Sequence, residues 1–227
     1  MQLNKIFNRD CIEFMKEMAD KSVDLVLTDI PYGECSGRVE GGLRSINKGA
    51  ADVATFKLST FLDNCVRICR GSIYVFCGTE QVSEIREWLQ FLGMTTRCCV
   101  WEKTNPSPMN GEHLWLSSVE LCVFGRFSGA TFTRFCESPV WRFPSGSSKR
   151  HPTEKPLPLF KHLVEASSKL GDQVFDPCMG SGTTAEAAIT TGRNFIGTEI
   201  NPEFLRIANQ RLRDLTGPFS PYGDIGT

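Results

Sequence analysis

Apolar residues along the chain switch between a strand-like and a helix-like period. Lys5-Ile6-Phe7 is a short strand candidate, and Asp10 then leads into Ile12, Phe14, Met15 and Met18, spaced as on one face of a helix. An acidic residue at that helix start suits the helix dipole. Residues 23–28 are nearly all apolar, the pattern of a strand buried on both faces. Leu58, Phe61, Leu62, Cys65, Val66 and Cys69 form a helical stripe over residues 56–69, residues 72–77 a second buried strand, and residues 81–92 a helix ended by Gly93. Residues 95–101 and 118–124 read as a strand pair around a loop rich in Pro and Asn. Residues 125–150 read as irregular. Beyond them come a helix over 156–170 with proline in its first turn, a strand at 174–176, a helix over 183–191 and a strand over 194–200. A last helix has Asn201 as cap and Pro202 at its first position, and carries Phe204, Leu205, Ile207, Ala208, Leu212 and Leu215. Strands alternating with helices in this way predict an α/β fold with a doubly wound, mostly parallel sheet.

Composition narrows the class without naming a function. A chain of 227 residues is most economically one domain with a substantial core. Its net charge of −1 gives no global basic field, so any contact with nucleic acid has to come from a local patch. The 10 cysteines are scattered, and Cys77, Cys98, Cys99 and Cys122 sit inside strand-like runs, which fits buried free thiols in a reducing cytoplasm better than a disulfide framework. The three histidines are isolated and there is no Cys-x-x-Cys, so no metal site is expected. The first residues lack the apolar stretch of a signal peptide, and no run approaches the roughly 18 apolar residues of a membrane span. The expectation is a cytosolic enzyme.

Two strand ends carry chemistry. The run over 23–28 empties into Asp29-Ile30-Pro31-Tyr32: a carboxylate that accepts N–H bonds, a rigid proline and an aromatic that stacks, together suited to a flat ring bearing an amine. The second is Asp176-Pro177-Cys178-Met179-Gly180-Ser181-Gly182-Thr183-Thr184, a strand end opening into a glycine turn and a helix whose first N–H groups are free. It lacks the lysine of a phosphate-binding P-loop and the third glycine of the dinucleotide fingerprint. Taken alone, Gly-Ser-Gly is as well explained by a plain strand-to-helix turn. Glu199 ends the next strand about 20 residues on, where an acid commonly holds ribose hydroxyls, and the pair points to an adenosine-containing ligand. Ligands of doubly wound sheets bind at the carboxyl ends of the strands, which is where both motifs fall.

With these motifs the chain resembles the DNA amino-methyltransferases that use S-adenosylmethionine, in their circularly permuted β-group arrangement. In that group an Asp/Asn/Ser-Pro-Pro-Tyr motif comes first, then a target-recognition segment, then the cofactor loop, and Asp29 to Tyr32, the basic-aromatic stretch and Asp176 to Thr184 follow that order. Asn8-Arg9-Asp10-Cys11-Ile12-Glu13 resembles the family's Gly-Asp-Cys segment, Val100 to Pro108 its Trp-x-Lys-x-Asn-Pro segment, and His151-Pro152-Thr153-Glu154-Lys155-Pro156 its His-Pro-x-x-Lys-Pro segment. The resemblance covers essentially the whole chain, and the last segment followed by Asp-Pro-x-x-Gly-Ser-Gly-Thr-Thr is a highly specific pairing. It implies a three-layer Rossmann-like class I methyltransferase fold, with a seven-stranded, mostly parallel sheet whose antiparallel strand is the run at 118–124. It further implies one permuted domain over 1–227, with a catalytic half at 1–104, a short target-recognition segment at about 105–150 and a cofactor half at 151–227.

The same resemblance assigns roles. Asp29 and the Ile30 carbonyl would each accept an N–H of the target amine, with Pro31 fixing the backbone and Tyr32 stacking on the base. The family has proline where this chain has Ile30, but the carbonyl is retained. S-adenosylmethionine would be bound by Asp10 at its adenine, by Glu199 at the ribose, and by Asp29, Asp176, Gly180 and Gly182 around its methionine end, with Thr153, Lys155, Ser181 and Thr183 nearby and Lys155 on the methionine carboxylate. The Gly- and Ser-rich loop over 33–52, with Arg38, Arg44 and Lys48, is either a linker or a lid closing on DNA phosphates. Lys103, Arg126, Arg134, Arg142, Lys149 and Arg150, interleaved with aromatics, are further candidates for contacts to double-stranded DNA. A homodimer would let two subunits share the DNA, and a companion restriction endonuclease is left open. An aspartate at position 29 favours adenine N6 over cytosine N4, whose members more often carry serine there. Cytosine-N4 transfer is the nearest alternative, and RNA or a protein glutamine a further substrate class. A catalytically inactive binder of DNA or cofactor is the alternative of another kind, with Ile30 its main support.

Overall fold

The computed structural model of the protein describes residues 2–32, 56–108, 111–146 and 154–216. The expected loop with Arg38, Arg44 and Lys48, and the candidates Lys149, Arg150 and Thr153, lie outside the described residues. In chain order the elements are β1 (Lys5–Phe7), α1 (Cys11–Glu17), β2 (Val23–Asp29), α2 (Leu58–Ile68), β3 (Cys69–Cys77), α3 (Val82–Phe91), β4 (Thr95–Lys103), β5 (Val119–Arg126), β6 (Val140–Phe143), α4 (Leu157–Ser167), β7 (Gln173–Asp176), α5 (Thr183–Thr190), β8 (Asn194–Thr198) and α6 (Pro202–Thr216). The strands form one sheet in the order β1-β8-β7-β2-β3-β5-β4-β6.

Strand direction follows from the pairing. β1, β8, β7, β2 and β3 are parallel neighbours, β5 runs antiparallel to both β3 and β4, and β6 pairs parallel to β4. One strand of the sheet is thus reversed, and it is the strand expected over residues 118–124. Alternate residues of the central strands supply two separate cores. Leu25, Leu27, Tyr74 and Phe76 pack with Leu159, Phe160, Ala185, Ala208 and Leu212 of α4, α5 and α6. Val26, Ile73 and Val75 pack with Phe14, Phe61, Leu62, Ile85 and Leu89 of α1, α2 and α3. The result is the three-layer α/β/α sandwich that near-continuous apolar strands require.

The sheet has eight strands rather than seven. The extra one is β6, inside the stretch expected to be irregular. It is a short edge strand, with Trp141 and Phe143 packed on the α4 side and Val140 and Arg142 turned outward. Only four residues alternate, between flanks rich in Ser and Pro, and a pattern that short is hidden by its surroundings. Its anchor is the buried Trp101 of β4, whose indole N–H donates to the Phe143 carbonyl at 2.9 Å. The strand cysteines also separate by face. Cys77, Cys99 and Cys122 are buried as expected, whereas Cys98, one residue out of phase with Cys99, is exposed. Among the described residues no helix is long and apolar enough to cross a membrane.

Replacing Trp101 with Phe keeps most of the buried ring and removes the donor to Phe143. The Phe143 carbonyl keeps the Thr104 N–H at 3.3 Å, so the substitution is expected to lower the unfolding free energy by about 1 kcal/mol, the net worth of one hydrogen bond. Urea denaturation measures this, and an unchanged midpoint and slope would show that β6 is not held through that bond.

Candidate active site

The pairing brings the carboxyl ends of β1, β8, β7, β2, β3 and β4, and the amino end of β5, to one edge of the sheet. Asp29 closes β2, Asp176 closes β7, Lys103 closes β4, and Glu120 is the second residue of β5. The chain leaves β2 in a braced turn. The Ile30 N–H donates to the Phe76 carbonyl at 3.2 Å, and Gln81, itself accepting from the Gly78 N–H, donates to the Pro31 carbonyl at 3.3 Å. The Ile30 side chain is buried in the core beneath α1 and α2. What this position offers at the sheet edge is therefore backbone, which removes the chief objection to an isoleucine there.

Five side chains close into a charged cluster. The Lys155 ammonium donates to Asp29 Oδ2 and lies 3.0 Å from Glu120 Oε2 and 3.3 Å from the Tyr32 hydroxyl. Tyr32 lies within hydrogen-bond reach of both carboxylates, 3.2 Å from Asp29 Oδ1 and 3.1 Å from Glu120 Oε2. Lys103 pairs with the other oxygen of Glu120 at 2.8 Å. Two ammonium groups face two carboxylates, so the cluster is neutral although Lys155 is only 6% exposed. The two acids are driven apart. Burial pushes the Asp29 carboxyl up against the opposing pull of Lys155. Glu120 is desolvated too, but Lys155 and Lys103 together hold it down at about 2.

This geometry revises two assignments. Lys155 was expected on the methionine carboxylate of a cofactor; its ammonium instead binds Asp29 and Glu120. Lys103 was expected on DNA; it is the second cation of Glu120, with its ammonium 5.3 Å from the centre of the Trp101 ring. Glu120 itself was missed. The available signal was a lone acid in the otherwise apolar run Val119 to Phe124, a place where a charge is kept only with partners.

The second motif is built beside the first, since β7 and β2 are adjacent strands. Asp176 is buried, accepting at Oδ1 from the Cys178 N–H at 3.0 Å and at Oδ2 from the Thr184 hydroxyl. It thereby ties the strand end to the first turn of α5. Gly180 and Gly182 have φ of +53° and +84°, and a Cβ at Gly182 would come 3.1 Å from the Ala208 Cβ, so the turn needs glycine there. Over Gly180 an added Cβ would meet nothing within 4 Å, which leaves room for a ligand against the backbone. Glu199 receives the Gly180 N–H at 2.8 Å on Oε2 and the Asn201 N–H at 2.8 Å on Oε1. Asp10 caps α1, accepting from the Ile12 and Glu13 N–H groups, just beyond the end of β1, the strand next to β8. Acceptors therefore line this part of the edge, and this acceptor set fits a ligand rich in N–H and O–H groups such as adenosine. Burial raises the carboxyls of both Asp176, to about 7, and Glu199.

Ser181 and Thr183 are buried at the start of α5, where Arg211 of α6 reaches the Ser181 carbonyl at 3.4 Å and the Thr183 hydroxyl at 3.0 Å. Arg211 also pairs with Glu154 at 2.9 Å and with Glu186. The Thr183 hydroxyl donates to the Lys155 carbonyl at 3.4 Å, so the glycine loop and the Lys155 segment are fastened together. Arg211 had no motif to reveal it, being one of several arginines in an amphipathic helix.

Two of the expected DNA contacts are at the wrong edge. Because β5 is reversed, its last residue, Arg126, sits opposite Ser72 and Thr95 at the amino ends of β3 and β4, and donates to the Ala130 carbonyl at 2.7 Å. Arg134 pairs with Glu165 near the end of α4 and with Glu137. Both are far from Asp29, and closeness in sequence to the antiparallel strand is what misled. Arg142 of β6 is on the correct rim, exposed and paired with Glu102 at 2.9 Å.

Comparison with known proteins bears on the family and the fold. Residues 128–210 match the family model described as DNA methylase. The chain is 27% identical to the type II methyltransferase M2.MboI of Moraxella bovis, covering 93% of this chain and 88% of the relative. It is 30% identical to the type II methyltransferase M.HinfI of Haemophilus influenzae, covering 94% of this chain and 69% of the relative. Among solved structures, the M1.HpyAVI–SAM complex superposes with a TM-score of 0.73 at 26% identity, over 92% of this chain and 98% of that one. The cytosine-N4-specific PvuII DNA methyltransferase shares the fold alone, with a TM-score of 0.69 at 15% identity over 92% of this chain and 88% of that one.

The raised carboxyl of Asp176 has a measurable consequence. Its folded value lies near 7 against an ordinary 3.8, so its contribution to stability is full below about pH 4 and is lost as pH rises toward 7. Asp176→Asn cannot titrate. Between pH 5 and 7 the wild-type protein is expected to lose on the order of 2–3 kcal/mol of unfolding free energy relative to that variant. Parallel stability profiles in urea would show that Asp176 titrates normally.

Proposed function

The chain belongs to the DNA methylase family, and from that premise we propose that it transfers a methyl group from S-adenosylmethionine to the exocyclic N6 amine of an adenine in double-stranded DNA. The observation that carries this reading is the adjacency of β2 and β7, which sets Asp29 beside the glycine loop at one edge of the sheet. When bound, the cofactor supplies a methyl group made electrophilic by its sulfonium. The chain's residues do the rest by positioning and electrostatics.

On the cofactor side, Glu199 is the residue for the ribose hydroxyls and Asp10 for the adenine. The backbone around Gly180 and Gly182 and the side chains of Asp176, Ser181 and Thr183 are the groups for the methionine end, and Thr153, outside the described residues, is proposed as a further contact. On the target side, the amine is a poor nucleophile because its lone pair is shared with the ring. Asp29 and the Ile30 carbonyl each accept one N–H and favour a pyramidal nitrogen whose lone pair is free. Tyr32 lends a ring face for stacking. Reaching the base means rotating it out of the duplex at a cost of a few kcal/mol. Arg142 on the β6 rim, with Arg38, Arg44, Lys48, Lys149 and Arg150, is the remaining set of proposed phosphate contacts. Lys103 and Lys155 belong to the charged cluster, and Arg126 and Arg134 drop out.

The proposal includes the permuted layout, with residues 1–104 catalytic, about 105–150 reading the target and 151–227 binding the cofactor. It extends to a homodimer sharing one duplex and, because the relatives are named type II methyltransferases, to a companion restriction endonuclease. Aspartate rather than serine at position 29 supports adenine over cytosine. An inactive relic is disfavoured by Asp29, Tyr32 and Lys155, which stand in one hydrogen-bonded group.

Incorporation of labelled methyl into unmodified DNA tests the reading. Asp29→Ala is expected to abolish incorporation while the protein still binds the cofactor, as measured by calorimetry. Full activity in that variant would remove the catalytic assignment. Glu199→Ala is expected to weaken cofactor binding at least several-fold, about 1 kcal/mol or more. Unchanged affinity there would break the ribose assignment.

A further inference from the structure

Glu120 lies across the cluster from Asp29 and makes no use of its charge elsewhere. One of its oxygens faces Lys155 at 3.0 Å and Tyr32 at 3.1 Å, and the other faces Lys103 at 2.8 Å. It therefore touches each group that touches Asp29 without touching Asp29 itself. We propose that Glu120 is a positioning residue for methyl transfer, a permanent counter-charge that keeps Lys155 and Tyr32 seated while Asp29 changes its own charge. The proposal rests on Asp29 being the residue that receives the target amine.

The need for such a group follows from the reaction. The amine nitrogen forms a bond to the methyl carbon as the carbon–sulfur bond yields its electron pair to sulfur. The nitrogen then carries one proton too many, and the Asp29 carboxylate is the acceptor already bonded to it. Once Asp29 is protonated it no longer neutralises Lys155. An ammonium buried to this degree and left alone costs several kcal/mol. With Glu120 ionised 3.0 Å away, Lys155 keeps a partner through the whole cycle. The two carboxyls divide the work, as pairs whose environments separate them commonly do. Asp29, raised by burial and by the negative charge of Glu120, takes the proton, and Glu120, held low by two lysines, does not.

Other ionisable groups face Asp29 from the neighbouring strands. Cys77 on β3 and Cys122 on β5 are buried thiols pushed upward and stay neutral, and Asp176 on β7 is pushed up to about 7. Glu120 is thus the acid in the cluster that is held charged, and its removal has a definite sign. In Glu120→Gln, Lys155 turns wholly to Asp29, the Asp29 carboxyl becomes harder to protonate, and the proton acceptor is weakened.

Two readouts on the same variants decide it. The first is the titration of the Asp29 carboxyl by carbon-detected NMR in the cofactor-free, aspartate-labelled protein. The second is the pH dependence of kcat. Glu120→Gln is expected to move the Asp29 titration and the acid limb of kcat down together by about one pH unit, to lower kcat about ten-fold, and to leave the KM for cofactor within about two-fold. Lys103→Gln removes a cation from the other side of Glu120 and is expected to move both upward. Glu120→Asp keeps the charge and is expected to recover most of kcat. A titration that stays in place or rises in Glu120→Gln overturns the proposal. So does one that falls in Lys103→Gln, which also decides the matter should Glu120→Gln not fold. If the wild-type protein transfers no methyl to DNA, the functional reading fails while the titration still decides the coupling between Glu120 and Asp29.

Discussion

The Lys155 ammonium on the Asp29 carboxylate joins residues 126 positions apart and is the contact on which the site depends. It draws the segment before α4 against the end of β2. Because Thr183 donates to the carbonyl of the same lysine, it also fixes where the glycine loop stands relative to Asp29. A buried ion pair is a weak source of stability, since desolvation offsets much of the attraction. Its value here is geometric. A charge that must be paired can be paired in only one register of these segments, and that register sets the two motifs side by side.

The sheet supplies the rest of the constraint. Seven strands running one way place their carboxyl ends on one edge, and the reversed β5 brings its amino end to the same edge, which is how Glu120 enters the site. Reversal also removes Arg126 to the other edge. One topological feature thus explains both a residue gained and a residue lost. The apolar faces of the strands alternate between the two helical layers, so a slip of one residue in β2 would swap Val26 with Leu25 and Leu27 between the two cores and shift Asp29 along the edge.

Much of this was legible in the chain. Buried parallel strands announce themselves as apolar runs, and β2, β3, β5, β7 and β8 were visible in that way. The turn after β7 was visible because Gly180 and Gly182 have conformations that other residues resist. Asp29, Asp176 and Glu199 stood at strand ends and Asp10 at a helix start, where local order alone gives a residue its place. The partners of Lys155, Lys103 and Arg211 were not legible, because long flexible cations choose acids brought near by tertiary contacts. β6 escaped for a different reason, being too short for its alternation to rise above its surroundings.

The most direct measurement is mass spectrometry of nucleosides from unmodified DNA after incubation with the protein and S-adenosylmethionine. The adjacency of Asp29 and the glycine loop predicts methylation of an exocyclic amine, and aspartate at position 29 predicts N6-methyladenine, formed only when both protein and cofactor are present. N4-methylcytosine in its place would contradict the assignment of the base. An unmodified digest from a protein that binds the cofactor would contradict the assignment of transfer to DNA.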